Sequence, residues 1–224
     1  MKLVLGSAPE GKKIITEKIV ELAGKPAKEI SVVVINEASA VEPVDMRWLI
    51  NGLNVISQTF GGAIYFCNLL SLNIKDVEKR INKADVIWCF GGNSDYLKLI
   101  FEKTGFDKLL PKLLKTKVWV GSSAGSCVMG ERGSYKGDVL IYKEDKWYDI
   151  KCYMGLIKGI IYPHMGGPFV PPNAYDICAE ESKSQPYPVY ALSDNSAVIV
   201  DNDKVYMIGK NSQKLINGKV IESV

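Results

Sequence analysis

A serine flanked by glycines and an alanine is the clearest chemical signal in this sequence. Residues 121–125 read Gly-Ser-Ser-Ala-Gly, which fits the G-x-S-x-G pattern of a nucleophile elbow. The small neighbours permit a tight strand-to-helix turn, and the N-terminus of the following helix favours developing negative charge. The pattern indicates Ser123 as a nucleophile. A Gly/Ser-rich turn that only packs a helix against a sheet is the alternative interpretation.

A serine hydroxyl is a poor nucleophile unless a base takes its proton, and histidine most often fills that role. His164 is the only histidine in the chain. It follows a predicted strand at 160–162 and precedes Met-Gly-Gly-Pro, a loop position typical of catalytic side chains in open α/β sheets. A lone histidine can also be structural or merely exposed, so it is the combination with the elbow that indicates a base.

A pair of glycines follows another predicted strand, in the run Phe90-Gly91-Gly92-Asn93. Adjacent glycines let backbone N–H groups approach a substrate oxygen, as an oxyanion hole requires together with the amide of the residue after the nucleophile, here Ala124. A tight βα turn is the alternative. A phosphate cradle is the other functional interpretation, but the sequence has neither a GxxxxGK[ST] nor a GxGxxG string.

Short apolar or β-branched runs alternate with segments of helical periodicity, a pattern typical of βα units that build a largely parallel, buried sheet. The predicted strands are 2–5, 30–35, 63–66, 85–90, 117–120 and 160–162. The predicted helices are 12–22, 46–59, 74–81 with Asn73 as its cap, and 96–102. We expect loops or hairpins over 133–148 and antiparallel edge hairpins in the last forty or so residues.

The composition excludes several classes of protein. The 224 residues fit one α/β domain spanning 1–224, and 47% apolar with 24% charged residues is far from the signature of disorder. The net charge of +3 comes from basic and acidic residues spread along the chain, and only three of the basic residues are arginines. Because nucleic-acid binding usually needs a concentrated basic face, we expect no nucleic-acid partner.

Membrane and secreted classes are also not expected. No segment approaches the roughly eighteen apolar residues of a membrane helix, and the N-terminal apolar stretch is too short for a signal sequence. The five cysteines form no CxxC pair, which fits a reducing compartment. We therefore expect a cytoplasmic protein without a membrane partner.

The motifs together resemble those of a known family. FGGNSDYL, then GSSAGS, then YPHMG and a closing ALSDNSAVIV occur in an order and spacing that is similar to the peptidase S51 family of dipeptidase E and cyanophycinase. The resemblance implies a fold like class I glutamine amidotransferases. That fold is a doubly wound, mainly parallel sheet with flanking helices, here followed by C-terminal antiparallel hairpins.

The resemblance also implies roles for the residues. It implies a serine peptidase that cleaves a short peptide through an acyl-serine intermediate, with Ser123 as nucleophile and His164 as base. Gly91, Gly92 and Ala124 would form the oxyanion hole. No metal or organic cofactor is implied, and the expected assembly is a monomer or homodimer.

The third member of the triad is less defined. The position of the aspartate in dipeptidase E falls on Asp138, which we prefer, and Glu144 and Asp194 are the alternatives. A buried carboxylate on the imidazole would fix its tautomer and stabilise the imidazolium. Gly137-Asp138 can also be read as a simple turn.

One departure from the family concerns the substrate. Dipeptidase E selects an N-terminal aspartate, for which arginine is the natural bidentate partner. The segment after His164, GGPFVPPNAYDICAEESK, has no arginine, which argues against aspartyl specificity, although a lysine from another segment can still serve as a point charge. The alternative functions are a cyanophycinase-like amidase or esterase, and a non-catalytic amidotransferase-like binding domain.

Overall fold

The structure, a computed structural model, describes residues 1–143 and 148–224. The strands in these ranges are β1 Lys2–Gly6, β2 Val32–Ile35, β3 Ile64–Phe66, β4 Val86–Cys89, β5 Val118–Ser122, β6 Ile160–Tyr162, β7 Val189–Ala191, β8 Ala197–Asp201, β9 Lys204–Ile208, β10 Gln213–Ile216 and β11 Lys219–Ser223. The α-helices are α1 Lys13–Ala23, α2 Arg47–Thr59, α3 Ile74–Ile81, α4 Ser94–Thr104, α5 Phe106–Leu113, α6 Ala124–Cys127, α7 Tyr135–Tyr142 and α8 Ala174–Ser184.

The larger sheet has seven strands in the order β3-β2-β4-β5-β1-β8-β9. Its first five strands are parallel, and β8 and β9 extend it in antiparallel fashion. Every residue of β2, β4 and β5 is buried. Alternate residues of β4 pack into different apolar clusters, Ile87 and Cys89 into one and Val86 and Trp88 into the other. Helices therefore cover both faces of this sheet, which is why its strands are continuous apolar runs.

A smaller sheet has four strands in the order β11-β10-β7-β6. Strands β6 and β7 are parallel, and the other pairs are antiparallel. Its apolar face packs with α7 and α8 in a separate cluster that includes Ile160, Tyr162, Val189 and Leu215. Strand β6, which leads to His164, thus belongs to the smaller sheet, whereas β5, which leads to Ser123, belongs to the larger one.

The predicted strands and helices are confirmed with shifts of one or two residues at their ends, and so is the capping of α3 by Asn73, whose side chain accepts from the N–H groups of Lys75 and Asp76 at 3.1 Å. The C-terminal hairpins β8–β9 and β10–β11 are also confirmed. Among the described residues, none of the helices has the length and apolar character needed to cross a bilayer.

The prediction of loops or hairpins over 133–148 is wrong in part, because α7 lies within it. Ser134 caps this helix by accepting from the Gly137 N–H at 2.9 Å, and Glu181 of α8 anchors the Ser134 N–H and hydroxyl at 2.8 and 2.5 Å. The glycine and charged residues of the segment give little helical signal. Tertiary anchoring to α8 outweighs that low local propensity.

Strand β1 lies between β5 and β8 in the larger sheet. Gly6, at its carboxyl end, is in register with Ser122 of β5 and with Ala197 of β8. The chain that leaves β1 therefore passes between the turn that carries Ser123 and the loop that precedes β8.

Candidate active site

Ser123 occupies the predicted elbow between β5 and α6. Its backbone has φ 50° and ψ −113°, which a non-glycine residue rarely adopts. The Ser123 N–H donates to the carbonyl oxygens of Ser7 at 2.9 Å and Gly6 at 3.1 Å. A Cβ on Gly125 would overlap the carbonyl oxygen of Cys89, so the α6 backbone can approach β4 only without a side chain there. The strained turn is thus held by close packing of backbone on backbone.

His164 meets Ser123 across the junction of the two sheets. Its Nε2 lies 3.0 Å from Ser123 Oγ, a hydrogen-bond distance. The backbone of His164 is left-handed, with φ 66°. Hydrogen bonds fix the residues on both sides of His164. The Tyr142 hydroxyl donates to the Pro163 carbonyl oxygen, and the Met165 N–H donates to the Leu192 carbonyl oxygen, each at 2.9 Å. The ring therefore faces the elbow because the chain on either side of it is fixed.

Asp194 completes a line of hydrogen bonds through the imidazole. Its Oδ1 lies 2.8 Å from His164 Nδ1, on the opposite side of the ring from Ser123. The hydrogen bond to His164, and then the one to Ser7, holds the pKa of the Asp194 carboxyl below its usual range. Asp194 is therefore a carboxylate at neutral pH and accepts from its neighbours.

The preferred third residue, Asp138, is replaced by Asp194 in this arrangement. Asp138 lies on α7, and its charge acts on the phenols of Tyr153 and Tyr162, whose pKa values are raised mainly by burial and further by that charge. The two nitrogens of the His164 ring face Ser123 and Asp194. No ring nitrogen is left for a second carboxylate. The other alternative, Glu144, lies outside the described residues.

Ser7 is a contact residue that the sequence analysis did not consider. Its hydroxyl lies 2.6 Å from Asp194 Oδ1 and 2.8 Å from the backbone nitrogen of His164, and its carbonyl oxygen accepts from the Ser123 N–H. A signal for it exists in the sequence, since Ser7 directly follows the first strand. Residues at the carboxyl ends of neighbouring parallel strands meet at one edge of the sheet.

The Gly91-Gly92 turn lies against the nucleophile. A Cβ built on Gly91 would be 3.0 Å from Ser123 Cβ and 3.5 Å from its Oγ. Gly92 has φ 127° and packs on the carbonyl of Ala38, which also accepts from the Asn93 N–H at 2.9 Å. Ala124 is the first residue of α6, where helical N–H groups lack intrahelical partners. Gly91 and Ala124 therefore adjoin Ser123, whereas the close contacts of Gly92 are with Ala38 and Ser39.

The loop after His164 presents an aromatic ring beside the imidazole. Phe169 is 75% exposed, and its centroid lies 6.4 Å from that of His164 in an edge-on arrangement. Arg132, on a different loop, is taken up by a bidentate pair with Asp95 at 2.9 and 3.1 Å. The side chain that the loop after His164 places beside the imidazole is thus apolar rather than cationic.

The arrangement has the parts that nucleophilic acyl transfer needs. A hydroxyl, an imidazole and a carboxylate lie in sequence at hydrogen-bond distances, and the imidazole side chain keeps 25% of its surface exposed to incoming molecules. The Gly91-Gly92 turn lies against Ser123 on one side, and the N-terminus of α6 follows Ser123 directly.

Two curated proteins are similar to this chain in sequence. An uncharacterized peptidase of Listeria innocua is 24% identical over 148 residues, 66% of this chain and 67% of its own. One from Listeria monocytogenes is 24% identical over 196 residues, 86% of this chain and 90% of its own.

Solved structures share the fold. A Listeria monocytogenes protein provisionally assigned as a peptidase E superposes with TM-score 0.75 at 20% identity, covering 94% of this chain and 98% of that one. A peptidase from an acI-B1 actinobacterium superposes with TM-score 0.66 at 15% identity, covering 100% of this chain and 96% of that one. The profile of peptidase family S51 matches residues 3–208, and the chain therefore belongs to peptidase family S51.

Proposed function

We propose that this protein is a serine-type peptidase that cleaves short peptides through an acyl-serine intermediate. One observation carries the proposal, namely that His164 lies between Ser123 Oγ at 3.0 Å and Asp194 Oδ1 at 2.8 Å. A nucleophile, a base and an orienting carboxylate in this order are what a serine hydrolase requires.

The reaction follows from the contacts. Ser123 Oγ attacks the peptide carbonyl carbon while His164 Nε2 takes its proton, and Asp194 stabilises the imidazolium. The N–H groups of Gly92 and Ala124 donate to the oxyanion. When the tetrahedral intermediate collapses, the C–N bond breaks and His164 Nε2 gives its proton to the leaving amine. A water then attacks the acyl-serine, loses its proton to Nε2, and releases the carboxylic acid as the proton returns to Ser123.

The surroundings of the site support a substrate without an acidic side chain at the cleaved bond. An acidic side chain would need a cation beside the nucleophile. Arg132 is paired with Asp95 and the positive charge of Lys12 acts on Asp194, whereas the aromatic ring that lies edge-on to the imidazole is that of Phe169. Because the ring is 75% exposed, an apolar substrate side chain that covered it would remove apolar surface of both partners from water. We therefore favour apolar or uncharged residues over aspartate at this position.

A fluorophosphonate probe tests the proposed chemistry, since it reacts with activated serines. We expect stoichiometric labelling of the wild type and none of Ser123→Ala. Ser122→Ala, which removes the neighbouring hydroxyl in a 6% exposed position, is the matched control and should still label. Failure of the folded wild type to react would contradict the proposal and favour a binding domain.

A panel of dipeptides, isopeptides and short esters tests the substrate. We expect higher kcat/KM for dipeptides with an apolar residue at the cleaved bond than for aspartyl dipeptides, and Phe169→Ala should lower that preference by roughly 10-fold, as expected for a lost aromatic contact. Turnover of isopeptides or esters without turnover of dipeptides would instead indicate a cyanophycinase-like amidase or an esterase.

A further inference from the structure

Ser7 contacts all three members of the proposed triad, which makes it the residue best placed to hold them in register. Its carbonyl oxygen accepts from the Ser123 N–H at 2.9 Å, and its hydroxyl accepts from the His164 N–H at 2.8 Å. The same hydroxyl lies 2.6 Å from Asp194 Oδ1. Ser7 is only 1% exposed, so water does not compete for these bonds.

The position of Ser7 explains how one residue reaches three segments. It directly follows β1, between the elbow after β5 and the loop that carries Asp194 before β8, and the larger sheet fixes its backbone. His164 arrives from the smaller sheet, after β6. Ser7 is thus a hydrogen-bonded link from the larger sheet to the loop of the base.

The hydroxyl has one proton, and the contacts determine where it goes. Because Ser7 Oγ accepts from the His164 N–H and lies 2.6 Å from a carboxylate oxygen, its proton points to Asp194. It therefore has no proton left to donate to His164 Nδ1, 3.3 Å away. Nδ1 then carries a proton for Asp194, and Nε2 is left as the acceptor that Ser123 needs.

We propose that Ser7 is a positioning residue that fixes the tautomer and orientation of His164 by bridging its backbone to Asp194. The inference rests on the proposed function. It adds a fourth residue, one that does not contact the substrate, to the nucleophile, base and carboxylate.

The test is the rate constant of fluorophosphonate labelling as a function of pH, measured on full-length wild type, Ser7→Ala and Ser182→Ala. Ser182 is a matched control, since it is also 1% exposed, its hydroxyl accepts from the Gly218 N–H at 2.8 Å, and it donates to the Ala179 carbonyl oxygen at 2.8 Å. Both variants lose one buried hydroxyl with two bonds. Ser182 contacts none of the triad residues.

We expect Ser7→Ala to label about 10-fold more slowly at neutral pH while reaching the same final stoichiometry, in line with the loss of one hydrogen bond to a charged group. The fall in labelling rate on the acidic side of the pH profile (the acidic limb) should occur at higher pH in Ser7→Ala. The reason is that Asp194, without the hydrogen bond from the Ser7 hydroxyl, stabilises the imidazolium more strongly. Ser182→Ala should match the wild type in rate and in limb. Ser7→Thr, which keeps the hydroxyl, should restore most of the rate.

The outcomes separate this inference from the proposed function. A wild type that does not label overturns the function. A wild type that labels, together with a Ser7→Ala variant of the same rate and pH limb, overturns the role of Ser7 alone. Equal slowing of Ser7→Ala and Ser182→Ala with unmoved limbs would show a general loss of stability, which also overturns that role.

Discussion

The two halves of the site are built differently. The nucleophile half consists of the elbow at Ser123 and the Gly91-Gly92 turn, and backbone close contacts between β4, β5 and α6 shape it. The base half consists of His164 and Asp194, which come from segments 30 residues apart and are joined through side-chain hydrogen bonds. In the first half the geometry depends on the absence of side chains, and in the second on the presence of particular ones.

The two halves should therefore tolerate different kinds of substitution. A side chain added to the nucleophile half must displace backbone, so we expect losses of both stability and activity. A side chain altered in the base half leaves the packing intact and removes a hydrogen bond, so we expect losses of activity with little unfolding.

The largest effect is expected where the halves meet. Ser123→Ala and His164→Ala should each lower kcat by roughly 10⁵- to 10⁶-fold, because members of a triad act as a unit. For the same reason the double variant should lose little more than either single one. Steady-state kinetics on a dipeptide substrate measures this, and small losses that add up in the double variant would contradict a shared proton transfer.

Within the base half, Asp194→Asn should lower kcat by roughly 10⁴-fold, since an amide at this position favours the wrong tautomer of the imidazole. Asp138→Asn is the control, because it changes the carboxylate that the sequence preferred. We expect it to keep kcat within a few-fold of the wild type. The opposite ranking of the two variants, with both folded by circular dichroism, would return the orienting role to Asp138.

Within the nucleophile half, Gly92→Ala should lower kcat by roughly 10²-fold, the scale expected for loss of one oxyanion donor. Its φ of 127° and the carbonyl of Ala38 leave no room for a Cβ, so the turn must move and the Tm should fall as well. Gly24→Ala is the control, with φ 68° and open space around it. We would measure kcat and Tm for both variants. If Gly24→Ala lost as much kcat and Tm as Gly92→Ala, the proposed role of the Gly91-Gly92 turn would be contradicted.

The smallest effect concerns Glu37, next to Ala38 beneath that turn. Burial raises the pKa of its carboxyl, and within the described residues its Oε2 has no hydrogen-bond partner. The folded pKa lies above the unfolded one, so this group lowers the free energy of unfolding as pH rises from the unfolded pKa towards the folded one. This loss in the free energy of unfolding persists at higher pH. It is absent in acid, where the carboxyl is neutral in both the folded and the unfolded protein.

Glu37→Gln should therefore stabilise the protein at pH 7.5 relative to pH 4. The gain should be on the order of 1 kcal/mol, or about 2–4 °C in Tm. Glu17→Gln, at a side chain 64% exposed, should show no such dependence on pH. Thermal melts at both pH values measure this, and an equal effect of Glu37→Gln at each would contradict a buried carboxyl whose pKa is raised by folding.

The sequence is informative about the nucleophile half because that half is local. Each turn in this half needs small residues, and those residues are next to one another in the sequence. They are the Gly and Ala neighbours of Ser123 and the Gly91-Gly92 pair. The parallel sheet was equally predictable, since its strands are short continuous apolar runs. His164 was within reach for a simpler reason, as the chain has no other histidine.

The rest depends on contacts between distant segments, which local pattern does not record. Asp138 and Asp194 both lie in turn-like sequence, and only the pairing of β1 with β8 and the path of β6 bring one of them to the imidazole. Helix α7 was missed for the same reason, because Glu181 of α8 anchors its cap residue Ser134 from 47 residues away. The pairing of β6 and β7 into a separate smaller sheet likewise joins distant segments.

One measurement addresses the centre of this account. Because His164 is the only histidine, ¹⁵N-histidine labelling of tag-free protein gives NMR signals from a single imidazole. We predict that the neutral form of the ring has its proton on Nδ1, facing Asp194, with Nε2 unprotonated towards Ser123. In Asp194→Asn the proton should move to Nε2. A neutral ring that carries its proton on Nε2 in the wild type, or a tautomer that Asp194→Asn leaves unchanged, would contradict the proposed line of proton transfer.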